Sequence, residues 1–152
     1  MTVYLSLGTN IGDKEQNLTR AIEALSLALG TCKAQSSFLE TEPWGFESEN
    51  GFLNCVVAFD TELTPTELLD TTERIERELG RTVKSTSGNY HDRLIDIDIL
   101  LYGNTVIESE RLTIPHPLMH LRDFVLAPLA EIAPDAIHPI LGKSIKKLLE
   151  ER

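Results

Sequence analysis

The sequence has few cysteines and no long apolar run. It contains two cysteines in 152 residues. Cys32 and Cys55 have neither CxxC spacing nor neighbouring histidines, so we expect two reduced thiols and neither a disulfide nor a metal site. No stretch approaches the roughly 18 consecutive apolar residues that a membrane span requires, so we expect no membrane partner. The first residues contain neither a basic segment nor a small-residue cleavage site, which predicts a cytoplasmic protein.

Positive charge is scarce and unevenly distributed. The chain has 14 lysines and arginines against 24 aspartates and glutamates, a formal net charge of −10. Proteins that bind nucleic acid present a dense basic surface to the phosphates, so this composition argues against a nucleic-acid partner. The basic residues of one stretch are Arg74, Arg77, Arg81, Lys84, His91, Arg93, Arg111, His116, His120 and Arg122. An acidic chain with one basic region favours a small polyanionic ligand.

Hydrophobic periodicity predicts an alternation of strands and helices. The predicted strands are Val3 to Leu7, Cys32 to Leu39, Phe52 to Asp60 and Leu94 to Tyr102, and a tight turn is predicted at Gly8 to Gly12. The predicted helices run from Asp13 to Gly30, Thr64 to Gly80, Leu118 to Ile132 and Ser144 to Glu150. This order predicts an α+β fold, with a ferredoxin-like β-α-β-β-α-β antiparallel sheet and C-terminal helical additions. We expect one domain over residues 1–152, and a monomer.

Two aspartates alternate with isoleucines in the clearest predicted strand, Ile95-Asp96-Ile97-Asp98-Ile99. The side-chain period of two places both carboxylates on one face, about 6.6 Å apart along the strand. Mg²⁺ prefers one or two carboxylates together with substrate phosphate oxygens. The alternative is an ordinary half-exposed strand. Two like charges on one face repel unless a cation lies between them, so the pair favours a site for a metal-bound polyphosphate.

Cations precede the aspartate pair in a polar loop over residues 81–92. Arg81 and Lys84 lie in this loop, and Arg93 follows it. Guanidinium groups bind phosphate oxygens in pairs and stabilise the charge of a transferring phosphoryl group. Scattered surface cations are the alternative, which is favoured for this loop alone but not for the loop and the aspartate pair together.

A second polar loop, over residues 40–51, contains the only tryptophan, Trp44, beside Pro43 and Gly45. Loops of about 12 residues without secondary structure are often lids or binding loops. A lone tryptophan is more often part of the core edge, so both interpretations remain open.

These segments together resemble the family of 6-hydroxymethyl-7,8-dihydropterin pyrophosphokinases. The resemblance covers nearly the whole chain and includes residues 4–12, 41–45, 52–54, 93–100, 111–116 and 124–129. The Arg93-x-x-Asp96-Ile97-Asp98 block is its most specific part. The resemblance implies transfer of diphosphate from ATP to 6-hydroxymethyl-7,8-dihydropterin in folate biosynthesis, with AMP as the second product.

The resemblance also implies a role for individual residues. Asp96 and Asp98 would bind two Mg²⁺ ions, and Arg81 and Arg93 would act on the phosphates. The implied contacts to the co-substrate ATP are Glu76, Arg111, His116 and Arg122. The implied contacts to the pterin are Thr41, Pro43, Trp44, Phe52, Asn54 and Phe124, of which Phe52 and Phe124 would stack on its two faces.

Two other functions are compatible with the same residues. A ferredoxin-like binding module without catalysis would have the aspartates as surface residues. A metal-dependent nucleotidyl transferase or phosphohydrolase would also use an aspartate pair on a strand. The products formed from ATP distinguish these functions.

Overall fold

A computed structural model of the chain describes residues 1–41, 51–80 and 94–152. Its strands are β1 (Thr2–Thr9), β2 (Cys32–Gln35), β3 (Leu39–Thr41), β4 (Phe52–Asp60), β5 (Asp96–Tyr102), β6 (Ile107–Glu108) and β7 (Thr113–Ile114). Its helices are α1 (Lys14–Leu29), α2 (Pro65–Gly80), α3 (Asp123–Ile132) and α4 (Ile145–Glu150), with a short 3₁₀ helix at Met119–Leu121. None of the helices in these ranges is long and apolar enough to cross a membrane.

The main sheet is antiparallel and has β1 near its centre. Its strand order is β2-β4-β1-β5, and β3 pairs with β4 beyond the end of β2. The pair β6 and β7 forms a separate two-stranded sheet. The predicted mixed fold with an antiparallel sheet is therefore confirmed.

The two long helices begin and end where local chemistry predicts. The Asp13 side chain accepts a hydrogen bond from Gln16 N at 3.1 Å, which caps α1, and Gly30 at φ 105° ends it. At the start of α2, Glu67 N donates to Thr64 Oγ1 at 3.2 Å and Thr64 N donates to Glu67 Oε1 at 2.9 Å. This reciprocal pair is a capping box, and it fixes the first turn of α2.

The sheet is covered by helices on both faces. Val3, Leu5 and Leu7 are fully buried on one face against α1 and α2, which we call the α1–α2 face. Val56, Leu100 and Leu101 pack on the opposite face against α3 and α4, which we call the α3–α4 face. The residues of β1 thus alternate between the two cores, as the period of two requires. In β5 the consecutive residues Leu100 and Leu101 both pack on the α3–α4 face, where the pairing with β1 shifts its register between Tyr4 and Leu5.

Three predicted boundaries differ from the structure. The predicted strand Cys32 to Leu39 is divided into β2 and β3, and Ser36 between them bonds to Val56 through both N and Oγ. The predicted helix Leu118 to Ile132 is divided into the 3₁₀ helix and α3, because Arg122 has extended backbone angles, φ −119° and ψ 108°. Gly8, predicted within a turn, belongs to β1.

Candidate active site

Polar side chains replace the apolar ones toward the C-terminal end of β1, on the α3–α4 face. Gly8 pairs with Asn54 on one side and with Asp96 on the other, and Ser6 pairs in the same way with Val56 and Asp98. Directly opposed residues of antiparallel strands present side chains to the same face. The sheet therefore brings Asn54 of β4 into the same row as Asp96 of β5, with Gly8 between them.

The aspartate pair lies on one face, as the sequence predicts. Asp96 is exposed, while the side chain of Asp98 is 37% exposed. Burial and the nearby Asp96 carboxylate raise the pKa of Asp98 to about 6, although Arg122 acts in the opposite direction. A cation between the two carboxylates would offset the repulsion between their negative charges, and carboxylate oxygens are donors that Mg²⁺ prefers.

Glu76 of α2 lies against the same strand. Its Oε2 accepts a hydrogen bond from Ile97 N at 2.8 Å. Burial, together with the Asp96 and Asp98 carboxylates, raises the pKa of Glu76 to about 7, although the hydrogen bond from Ile97 N acts in the opposite direction. Glu76 is therefore a third carboxylate of the site and contacts the backbone between the two aspartates.

His116 and Arg122 supply positive or donor groups beside Asp98. His116 Nε2 lies 4.0 Å from Asp98 Oδ2. Leu118 N donates to His116 Nδ1 at 3.2 Å, so the proton of the neutral ring belongs on Nε2, facing the carboxylate. Burial lowers the pKa of His116, and the Arg122 charge lowers it further. His116 is therefore neutral near pH 7 and acts as a donor through Nε2.

Arg111 has its partners on α2. It forms ion pairs with Asp70 and with Glu73, the latter at 2.6 Å. These bonds raise the pKa of Arg111. The family resemblance implies that Arg111 contacts the nucleotide, whereas in this structure Arg111 pairs with Asp70 and Glu73 on the exposed side of α2.

Three of the residues assigned to the pterin meet at the other end of the row. Asn54 Nδ2 donates to Thr41 Oγ1 at 3.2 Å and more weakly to Leu39 O at 3.4 Å. Phe52 lies two residues before Asn54 on β4, on the same face. The described ranges therefore bring Thr41, Phe52 and Asn54 together.

Phe124 lies in the first turn of α3, next to Arg122. The Arg122 guanidinium carbon is 5.6 Å from the centre of the Phe124 ring, within the range of a cation–π contact. Arg122 also influences the pKa of both Asp98 and His116. Arg122 therefore contacts the Phe124 ring and also acts electrostatically on Asp98.

Four assigned residues, Pro43, Trp44, Arg81 and Arg93, lie outside the described residues.

Sequence reasoning missed the position of Gly8 and Ser6 in the rows that contain Asn54 and the aspartates. A glycine in a strand is itself a signal, since it often marks a close approach of another group.

Comparisons with known proteins indicate one enzyme family. The sequence profile of the family described as 7,8-dihydro-6-hydroxymethylpterin-pyrophosphokinase (HPPK) matches residues 4–134. A relative from Porphyromonas gingivalis named 2-amino-4-hydroxy-6-hydroxymethyldihydropteridine pyrophosphokinase is 54% identical over 138 residues, which cover 90% of this chain and 93% of the relative. A relative of the same name from Aquifex aeolicus is 44% identical over 150 residues, 99% of this chain and 91% of the relative.

Solved structures share the fold. The crystal structure of an HPPK-DHPS in complex with substrates aligns with a TM-score of 0.74 at 16% identity over 99% of this chain. The wild-type Plasmodium falciparum HPPK-DHPS aligns with a TM-score of 0.76 at 17% identity, also over 99%. This chain spans 43% and 44% of those two chains, less than half of each. From the profile match and the close relatives, the chain belongs to the 7,8-dihydro-6-hydroxymethylpterin-pyrophosphokinase family.

Proposed function

We propose that this chain transfers the diphosphoryl group of ATP to 6-hydroxymethyl-7,8-dihydropterin, giving the pterin diphosphate and AMP in folate biosynthesis. The observation that carries the proposal is the row Asn54–Gly8–Asp96 across three neighbouring strands. At one end of this row, the Asn54 amide can bond to the edge of a heterocycle. At the other end, the Asp96 carboxylate can bind the metal ion that accompanies a phosphate. Neighbouring strands are about 4.8 Å apart, so the two ends of the row are separated by about 10 Å, the scale of a small substrate.

Asp96 and Asp98 fit Mg²⁺ as oxygen ligands on one face. The raised pKa of Asp98 supports this assignment, because burial and the Asp96 carboxylate raise it by more than Arg122, the cation that acts on it in the described residues, lowers it. We propose that the two carboxylates hold two Mg²⁺ ions. Bound magnesium would neutralise phosphate charge and orient the phosphates.

The nucleotide half consists of Glu76, His116, Arg122 and Arg111. His116 Nε2 and the Arg122 guanidinium lie beside Asp98, where they can donate to phosphate oxygens. Glu76 bonds to Ile97 N at the outer edge of β5, and we assign it to the side of the nucleotide. Arg111 contacts α2 in the present arrangement, and binding of the nucleotide through Arg111 would require it to leave Asp70 or Glu73.

The pterin half consists of an aromatic pair and a polar edge. Phe52 and Phe124 would stack on the two faces of the ring, since flat heterocycles gain from aromatic stacking. Asn54 and Thr41 would bond its edge, together with Pro43 and Trp44, which lie outside the described residues. A few convergent polar groups in an otherwise apolar site are typical of small-molecule recognition.

In the reaction, the hydroxymethyl oxygen attacks the β-phosphorus of ATP and loses its proton. A new oxygen–phosphorus bond forms, and the bond between the β-phosphorus and the α-phosphate oxygen breaks, so AMP departs. Such transfers depend on positioning and on stabilisation of charge. His116 and Arg122 would supply that stabilisation from one side. Arg81 and Arg93, outside the described residues, would supply it from the loop.

The finer features of the architecture belong to the same proposal. The order of β1, α1, β2 with β3, β4, α2 and β5 supports a ferredoxin-like unit extended by α3 and α4. We also propose that residues 1–152 act as one domain, in a monomeric and cytoplasmic enzyme. The net charge of −10 supports small-molecule partners over nucleic acid.

The test is to incubate the chain with Mg-ATP and 6-hydroxymethyl-7,8-dihydropterin and to identify the products by mass spectrometry. We expect AMP and the pterin diphosphate in equal amounts. Release of pyrophosphate would indicate a nucleotidyl transferase, release of orthophosphate a phosphohydrolase, and no consumption of ATP a binding module. Each of these three results would overturn the proposal.

A further inference from the structure

Gly8 is a buried glycine in a regular strand, a position where glycine has a cost. A glycine within a strand loses more conformational freedom on folding than a residue with a side chain and contributes no packing. The glycines with positive φ in the described residues are Gly12, Gly30, Gly103 and Gly142, so the backbone at Gly8 does not require glycine. The reason for a glycine here must be the space around it.

That space is occupied by the amide of Asn54. A Cβ added at Gly8 would lie 3.0 Å from Asn54 Oδ1, closer than about nine in ten real contacts of a Cβ atom, so the amide would have to move by a few tenths of an ångström. The same Cβ would lie 3.8 Å from Cδ1 of Phe52, an ordinary van der Waals contact. An added methyl group would therefore displace the amide and leave the aromatic ring in place.

The orientation of the Asn54 amide follows from its partners. Its nitrogen faces two acceptors, the hydroxyl oxygen of Thr41 and the carbonyl oxygen of Leu39. Its oxygen therefore faces Gly8. A displacement at Oδ1 rotates the whole planar group, so it would also lengthen the bonds at Nδ2, of which one joins Asn54 to Thr41.

We propose that Gly8 is a positioning residue for recognition of the pterin edge, and that it acts through Asn54. The missing side chain leaves room for the Asn54 oxygen and keeps Asn54 and Thr41 in one bonded unit. This inference rests on the proposed function, because it assigns Asn54 to the pterin. It adds that a residue without a side chain sets the orientation of the recognition group.

The experiment is a double-mutant cycle on pterin affinity, measured by calorimetry with the intact chain saturated with Mg²⁺ and an unreactive ATP analogue. We expect Gly8→Ala to weaken pterin binding by about tenfold, the effect of losing one buried hydrogen bond. In the Asn54→Ala background the colliding oxygen is absent, so Gly8→Ala should change affinity less than about twofold. Gly80→Ala is the control, because a Cβ there meets no atom of the described residues within 4 Å, and it should bind pterin as the wild type does.

A second measurement, by NMR, reports directly on the side-chain amide of Asn54. In the ligand-free chain, Gly8→Ala should shift the side-chain amide NMR signals of Asn54, whereas Gly80→Ala should not. If Gly8→Ala does not fold, the Gly8→Ala/Asn54→Ala variant should fold and bind pterin as Asn54→Ala does, because the collision has been removed.

The outcomes separate this inference from the proposed function. Wild-type affinity in Gly8→Ala overturns the inference alone, and so does an equal loss in both backgrounds, since the methyl group would then act on the strand or on the ligand directly. An unfolded Gly8→Ala/Asn54→Ala variant overturns it as well. A wild-type chain that binds no pterin overturns the proposed function and the inference together.

Discussion

Replacing Asp98 with asparagine should stabilise the ligand-free protein while it removes activity. The amide keeps the shape of the carboxylate but has no charge. In the folded chain, burial and Asp96 raise the pKa of Asp98 from 3.8 to about 6. The ionised side chain is therefore less favourable in the folded state than in the unfolded state, and asparagine removes this difference.

The size of the effect follows from the shift and from exposure. A shift of about two pKa units corresponds to about 3 kcal/mol in a desolvated site. The side chain of Asp98 is 37% exposed, so screening by water reduces the expected gain to about 1 kcal/mol. For a chain of this length, about 1 kcal/mol raises the melting temperature by roughly 2–4 °C.

The dependence on pH has a definite sign. Above the folded pKa of about 6 the folded carboxylate is ionised and the penalty is complete. As the pH falls from about 6 toward the unfolded value of 3.8, the folded state is protonated first and the penalty disappears. Asp98→Asn should therefore raise the melting temperature at pH 8 and have no such effect near pH 4.

The assay combines calorimetric melting of the ligand-free chain, with a chelator present, and turnover of Mg-ATP with pterin. The expected result is a higher melting temperature at pH 8 and nearly complete loss of turnover. A lower melting temperature at pH 8 would show that the carboxylate stabilises the fold. Turnover near that of the wild type at saturating Mg²⁺ would refute the assignment of Asp98 to the metal.

Three further predictions concern other parts of the site. Phe124→Ala should weaken pterin binding by about 1–3 kcal/mol, the contribution of one stacked ring, and should weaken ATP binding much less. Calorimetry with each ligand measures both effects, and equal losses would indicate damage to the core. Glu76→Gln retains an oxygen that can accept the hydrogen bond from Ile97 N, whereas Glu76→Ala does not. We therefore expect faster turnover, and slower hydrogen exchange of the Ile97 amide, in Glu76→Gln than in Glu76→Ala. Equal values in the two variants would contradict a role for this bond. Because burial raises the pKa of Glu76 to about 7 and that of Asp98 to about 6, Mg²⁺ binding should release protons and weaken as the pH falls through this window. Calorimetry in buffers of different ionisation enthalpy measures the released protons, and no release at pH 6.5 would contradict this coupling.

Several features of the fold and site could be predicted because they depend on neighbours along the chain. The capping box at Thr64 and Glu67 needs residues three positions apart, and it forms as predicted. The shared face of Asp96 and Asp98 follows from the strand period alone. The division of the predicted helix at Arg122 could not be predicted in this way, since the residues on both sides of it are compatible with helix.

The sequence by itself determined the strand of alternating aspartates, the ends of α1 and α2, and the family, because these depend on local spacing and on residue identity. Only the tertiary structure decided that Gly8 lies between Asn54 and Asp96 and that Glu76 bonds to Ile97 N. It also decided that Arg122 contacts the Phe124 ring and acts electrostatically on Asp98. The members of each of these contacts are brought together by the register of antiparallel strands and by helix packing. Neither can be read from spacing along one chain, because a shift of one residue in register would move each side chain to the opposite face.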